Sequence, residues 1–123
     1  MVYSAAHRSL SILEVLVHVK GGAGTGRAAI STPFYIYAVS FEAALLEELL
    51  ISNLPAGWNS EPPTAASQSL GDAWALAAKS VVLAVPSVIV PQERNYVLNP
   101  NHPRFAEVQI ASPVACPVDP RLL

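Results

Sequence analysis

Three places in this chain carry residue types that could do chemistry. The first is the carboxylate of Glu14, set inside the apolar run LSILEVLVHV from Leu10 to Val19. Burying an unpaired carboxylate is strongly unfavourable. Glu14 is therefore either turned to solvent or held at a site. His18 follows one helical turn later and shares a helical face with Glu14. These two side chains are too few for a metal centre, and no third ligand stands at a suitable spacing, so no metal is expected. His18 reads as a packed or hydrogen-bonded histidine.

The second place is AVPSVIVPQERNYVLNPNHPRF, Ala84 to Phe105. Ser87 follows an apolar strand and a proline, so it sits at a strand end, where site residues are common. It lacks the G-x-S-x-G elbow of an esterase nucleophile. The alternative is a turn serine that bonds its own backbone. Asn95, Asn99 and Asn101, interleaved with Pro100 and Pro103, read as turn chemistry.

The third place is the glycine loop GGAGTGR, Gly21 to Arg27. A phosphate-binding P-loop needs Lys and then Ser or Thr after its last glycine; Arg27 and Ala28 stand there. A dinucleotide fingerprint needs two residues between its second and third glycines; Gly24 and Gly26 have one. Both motifs require a strand before the loop and a helix after it. The order here is the reverse, so the loop reads as a linker.

The elements that must position these groups follow from the pattern of apolar residues. Val2 to Ala5 is a short apolar start that could form a strand cut short by the terminus. Ser9 or Ser11 caps a helix running to about Val19, stopped by the glycines after Lys20. FYIYAVSF, Phe34 to Phe41, is aromatic and β-branched and reads as a strand. EAALLEELL, Glu42 to Leu50, predicts a short helix or turn. The Pro- and Ser-rich stretch from Leu54 to Gln68 is a surface loop. SLGDAWALAAKS, Ser69 to Ser80, predicts a helix capped by Ser69. Val81 to Val85 is an apolar strand stopped by Pro86. The stretch after it is broken by Pro91, Pro100 and Pro103. Ala106 to Ser112 alternates as a strand, and the proline-rich tail fits only an edge segment. The result is a single mixed α+β domain.

Composition narrows the class. The chain has 123 residues, 52% of them hydrophobic and 13% charged, with a net charge of −2. That length suits one domain with a modest core. The apolar excess suggests a partner, a self-association face or a missing segment. A net negative charge gives no footprint for nucleic acid. The single Cys116 forms no internal disulfide. No apolar run is long enough to span a bilayer, and no signal peptide opens the chain. A soluble cytoplasmic domain with no membrane contact is the expectation.

Taken together, VYSA at 2–5, SILEVLVHV at 11–19, LPAGW at 54–58, LGDAW at 70–74, the block from Val85 to Phe105 and DPRLL at 119–123 resemble the RES domain family. That family supplies the toxins of bacterial RES–Xre toxin–antitoxin pairs. The long block carries the most specific part of the resemblance. The region from Gly21 to Ser31 matches poorly and looks like a variable loop. The family is named for an arginine, a glutamate and a serine. Glu14 falls on the glutamate, Ser87 on the serine, and Tyr3 on a tyrosine used near the substrate. The arginine belongs to a Gly-Arg-Trp-Asn segment upstream of that tyrosine. Only Met1 and Val2 precede Tyr3, and neither Arg8 nor Arg27 takes its place.

The resemblance implies a fold like that of ADP-ribosyltransferases, here lacking its first strands. It implies an activity that consumes NAD as a substrate, with no further cofactor, and an Xre-type antitoxin protein as partner. Glu14 would stabilise the cation that forms when the nicotinamide–ribose bond breaks. Tyr3 would stack on nicotinamide, and Ser87 would hold a ribose or nicotinamide group. The absent arginine would have bound the pyrophosphate. Impaired turnover is the corresponding expectation. The alternative is a non-catalytic RES remnant that only binds the antitoxin.

Overall fold

The computed structural model describes residues 1–21 and 33–122. Its centre is a four-stranded mixed sheet of β1 (Val2–Ala5), β6 (Arg94–Leu98), β5 (Val82–Pro86) and β4 (Leu46–Glu48), in that spatial order. β6 is antiparallel to both neighbours, pairing Tyr3 with Val97 on one side and Leu83 with Val97 on the other. β4 runs parallel to β5, with Glu47 opposite Leu83. Two small antiparallel ladders lie outside this sheet. β2 (Phe34–Ile36) pairs with β8 (Val114–Cys116), and β3 (Val39–Ser40) pairs with β7 (Gln109–Ile110). With helices α1 (Arg8–Gly21) and α2 (Ala65–Ala77), this is an α+β domain, as the sequence implies.

Side chains alternate across the sheet, so each face has its own core. Val82 and Leu98 meet Leu45, Val81 and Val108 on one face, with Phe41 and Tyr96 packed edge to face beside them at 5.8 Å. Leu83 and Val97 meet Trp74 of α2 on the other. Burial of each such aliphatic side chain stabilises by roughly 1.5–3 kcal/mol. Trp74 keeps its polar edge satisfied. Its Nε1 donates to Ser80 Oγ at 2.7 Å, and Ser80 Oγ donates to Glu47 Oε2 at 3.1 Å.

Several boundaries differ from the sequence reading. α1 starts at Arg8, so Ser11 lies inside it and its hydroxyl donates to the Arg8 carbonyl at 2.7 Å. The strand expected from Phe34 to Phe41 is divided into β2 and β3. Glu42 to Leu50 is a 3-10 turn at Ala43–Leu45 followed by strand β4, because the row opposite Val82–Ala84 holds it extended. Helix α2 begins at Ala65, inside the expected loop; Thr64, not Ser69, caps it by accepting from Ser67 N at 3.2 Å. The helix stops at Ala78, whose φ of 48° breaks the helical path. His102 Nε2 donates to the Ala78 carbonyl at 2.9 Å and fixes that turn. Ala106 to Ser112 is a 3-10 turn followed by the two residues of β7. β6 is the largest departure. It lies between Pro91 and Pro100 in a stretch that reads as proline-broken, yet it is an inner strand of the sheet. Beyond Gly21, the glycine loop falls outside the described residues.

Candidate functional site

Glu14, Ser87 and Asn95 come from three elements and meet at one oxygen. Glu14 lies in the middle of α1, Ser87 immediately follows β5, and Asn95 is the second residue of β6. Ser87 Oγ donates to Glu14 Oε1 at 2.9 Å, and Asn95 Nδ2 donates to the same oxygen at 2.7 Å. Both bonds have a charged acceptor, the strong class of protein hydrogen bond. Glu14 is therefore held at a site, half-buried, and not simply turned to water. Its Oε2 accepts no hydrogen bond among the described residues.

Ser87 is fully buried. Its Oγ also accepts from Ile89 N and Val90 N, each at 3.1 Å, and its backbone N donates to the Glu93 carbonyl at 3.0 Å. The two sequence readings of this residue are both present in the structure: it closes its own turn, and it faces a carboxylate. The turn bonds aim the hydroxyl proton, since two N–H donors occupy the oxygen's lone pairs and leave O–H free to donate to Glu14.

Asn95 was read from sequence as a turn residue, and that reading is corrected here. It stands in β6 opposite Ala5 and Val85. The signal lay in RNYVL, whose apolar residues suit a strand with Asn95 near its start; the flanking prolines obscured it. Asn99 does follow turn chemistry, with its Oδ1 accepting from Asn101 N at 3.1 Å. His18 is exposed, and its Nδ1 donates to the Glu14 main-chain carbonyl at 2.7 Å. It is hydrogen-bonded, as expected, but it does not reach the carboxylate oxygen held by the other two.

Tyr3 is not part of this cluster. It is 71% exposed on β1 and lines a cleft of about 830 Å³ between β1, α1 and β2. Ser11, Val15, Tyr35 and Tyr37 also line that cleft, whereas Glu14 and Ser87 do not. At 100° per residue, Ser11 and Val15 form a stripe on α1 that faces the cleft. Glu14 sits further round, on the flank it shares with buried Leu10. The structure thus brings two of the three sequence-derived site residues together and sets the third on an adjoining surface. Among the described residues, no group of three or more His, Cys, Asp or Glu side chains could hold a metal ion, and no helix is long and apolar enough to cross a membrane.

The structure is that of a mixed α+β domain, and comparison with known proteins identifies its family. The RES domain family model matches residues 1–119, and the chain belongs to that family. Its sequence is 35% identical to the "Prs ADP-ribosylating toxin" of Sphingobium sp. strain YBL2, covering 100% of this chain and 74% of that protein. It is 37% identical to a "Toxin Res" of Photorhabdus laumondii, over 80% of this chain and 60% of that protein. A "Toxin Res" of Yersinia enterocolitica is 31% identical over 98% of this chain and 76% of its own length.

Proposed function

We propose that this chain is a RES-type toxin domain that consumes NAD by cleaving the nicotinamide–ribose bond. The observation that carries the reading is the Glu14 carboxylate, fixed through one oxygen by Ser87 and Asn95 in a RES-family chain. In the reaction the bond from ribose C1′ to the nicotinamide nitrogen breaks. Its electron pair leaves with neutral nicotinamide, and positive charge develops on C1′ and the ring oxygen. The Glu14 carboxylate stabilises that charge. A nucleophile then bonds to C1′ and loses its proton; it is water, phosphate or a protein side chain. Ser87 holds the carboxylate in place, and Tyr3 offers an exposed aromatic face for stacking on nicotinamide.

The arginine of the resemblance is not among these 123 residues, so the test uses both this chain and one extended by a Gly-Arg-Trp-Asn segment upstream of Tyr3. The test is incubation of the purified chain with NAD and measurement of released nicotinamide. Slow release is expected, rising when the Gly-Arg-Trp-Asn segment is added. Glu14→Gln should lower release by about 10²-fold or more in the extended chain. Release that is indifferent to Glu14→Gln would overturn the assignment of the carboxylate. Fast release by the 123-residue chain would overturn the requirement for the arginine.

A second reading is a non-catalytic module that only binds an Xre-type antitoxin. The exposure of Tyr3, Tyr35 and Tyr37, at 71%, 57% and 55%, favours it, since exposed aromatic clusters mark protein-binding faces. Stable co-elution with the antitoxin, together with no nicotinamide release from the extended chain, would select this reading.

A further inference from the structure

The two buried-region asparagines of the β6 segment are used in opposite ways. Asn99 is satisfied at both ends: Nδ2 donates to the Ala75 carbonyl at 3.1 Å, and Oδ1 accepts from Asn101 N at 3.1 Å. It ties α2 to the turn after β6, which is a structural role. Asn95 is satisfied at one end only. Its Nδ2 donates to Glu14 Oε1 at 2.7 Å, while its Oδ1 is buried and has no hydrogen-bond partner. A residue kept for the fold would have both ends paired, because a buried unpaired acceptor is unfavourable. Turning the amide over does not help. It would set Oδ1 against Glu14 Oε1 and place two acceptors face to face.

We infer that Asn95 is a positioning residue for Glu14, holding Oε1 jointly with Ser87 so that Oε2 is the oxygen presented to the reacting ribose. The catalytic half of this inference rests on the NAD-consuming reading. The division of labour between the two oxygens follows from the geometry. Two donors converge on Oε1, Ser87 just past β5 and Asn95 in β6, and none of the described residues bonds Oε2. One donor alone lets the Glu14 side chain pivot about that single contact into other χ1 and χ2 rotamers. Two donors from separate elements fix both its place and its plane. A carboxylate held this way needs no reorganisation as charge develops beside it.

The test has a part that needs no turnover. Side-chain three-bond couplings of Glu14, measured by NMR, are expected to report one rotamer in the native chain and averaged rotamers in Asn95→Ala. Asn99→Ala is the control, lowering thermal stability while Glu14 stays in one rotamer. Asn95→Leu keeps the shape without a donor and guards against a fold defect peculiar to the alanine variant; it should also release Glu14. A Glu14 that stays in a single rotamer in both Asn95 variants overturns the inference. The second part measures nicotinamide release from the arginine-extended chain. Asn95→Ala should lower kcat by about tenfold or more with KM changed less than about twofold, per folded molecule. An effect on KM alone overturns the inference. Absence of release from the extended chain with Asn95 intact overturns the NAD reading instead, and leaves the rotamer result to decide the positioning role.

Discussion

Removing the Ser87 hydroxyl tests whether the site is built as described. Ser87→Ala deletes one hydrogen bond to a carboxylate and two acceptor contacts to backbone N–H groups. A hydrogen bond to a charged group contributes about 1.5–3 kcal/mol, and a neutral one about 0.5–1.5 kcal/mol. Ile89 and Val90 are only half-buried, so water can replace part of what their N–H groups lose. Glu14 keeps its bond to Asn95, which limits the loss on that side. The expected destabilisation is therefore about 2–4 kcal/mol. At roughly 4 °C per kcal/mol for a chain of this size, the melting temperature should fall by about 8–16 °C. Thermal unfolding followed by circular dichroism measures it, with urea unfolding as a check. A double-mutant cycle with Glu14→Ala isolates the shared bond, and a coupling of about 1.5–3 kcal/mol is expected. A loss below about 1 kcal/mol with no coupling would show that Ser87 and Glu14 do not meet, and the site would have to be redrawn.

Three further outcomes follow from other parts of the fold. Ser80→Ala leaves the Trp74 indole N–H without its partner and should cost about 1–3 kcal/mol in urea unfolding, with a shift in tryptophan fluorescence. An unchanged midpoint would count against the Trp74–Ser80–Glu47 relay. Ala78→Gly relieves a left-handed backbone and should raise stability by about 1 kcal/mol; a decrease would argue against the positive φ. The Arg104 hydrogen bond, followed by its charge, holds the Glu107 carboxyl below the usual carboxylate range. A carboxylate lowered in this way contributes stability above its unfolded value and loses it as pH falls through the folded one. Arg104→Gln should therefore raise the Glu107 midpoint in an NMR titration and flatten that acid limb; an unmoved midpoint would remove the pair from the account.

What was legible in the sequence was the apolar framework and its departures. Val81 to Val85, a run with no polar residue, reads directly as a buried strand, because only a position covered on both faces tolerates it. A glutamate amid Leu13, Val15, Leu16 and Val17 announces itself by its cost. Other elements were hidden because their conformation is set by partners distant in sequence. Leu46 to Glu48 has the composition of a helix, and it is extended because β5, more than thirty residues later, supplies the ladder. β6 was hidden by the prolines on either side of it. Those prolines flank the strand and do not interrupt it, and Arg94 to Leu98 contains none. With β6 missed, Asn95 could only be taken for a turn residue. Its partner stands 81 positions away, and no local pattern points there.

The position of Glu14 explains why the carboxylate belongs to α1 rather than to a loop. α1 leaves β1 through a connection of only two residues, Ala6 and His7, and the Ala6 N–H donates to the Arg94 carbonyl at 3.0 Å. That bond anchors the start of α1 to the start of β6. Buried Leu10, one turn before Glu14 on the same flank, seats the helix more firmly. Glu14 is then carried over the end of β5 and the start of β6, where Ser87 and Asn95 wait. The apolar residues of LSILEVLVHV and its carboxylate thus serve one purpose. The first set the height and rotation of the helix, and those two quantities place the second. A loop would satisfy the same hydrogen bonds, but with more conformers to select among. On the proposed reading, an oxygen that stabilises a short-lived cation gains from a rigid support. Here the support is a helix whose lead-in residue is tied to the strand that carries Asn95.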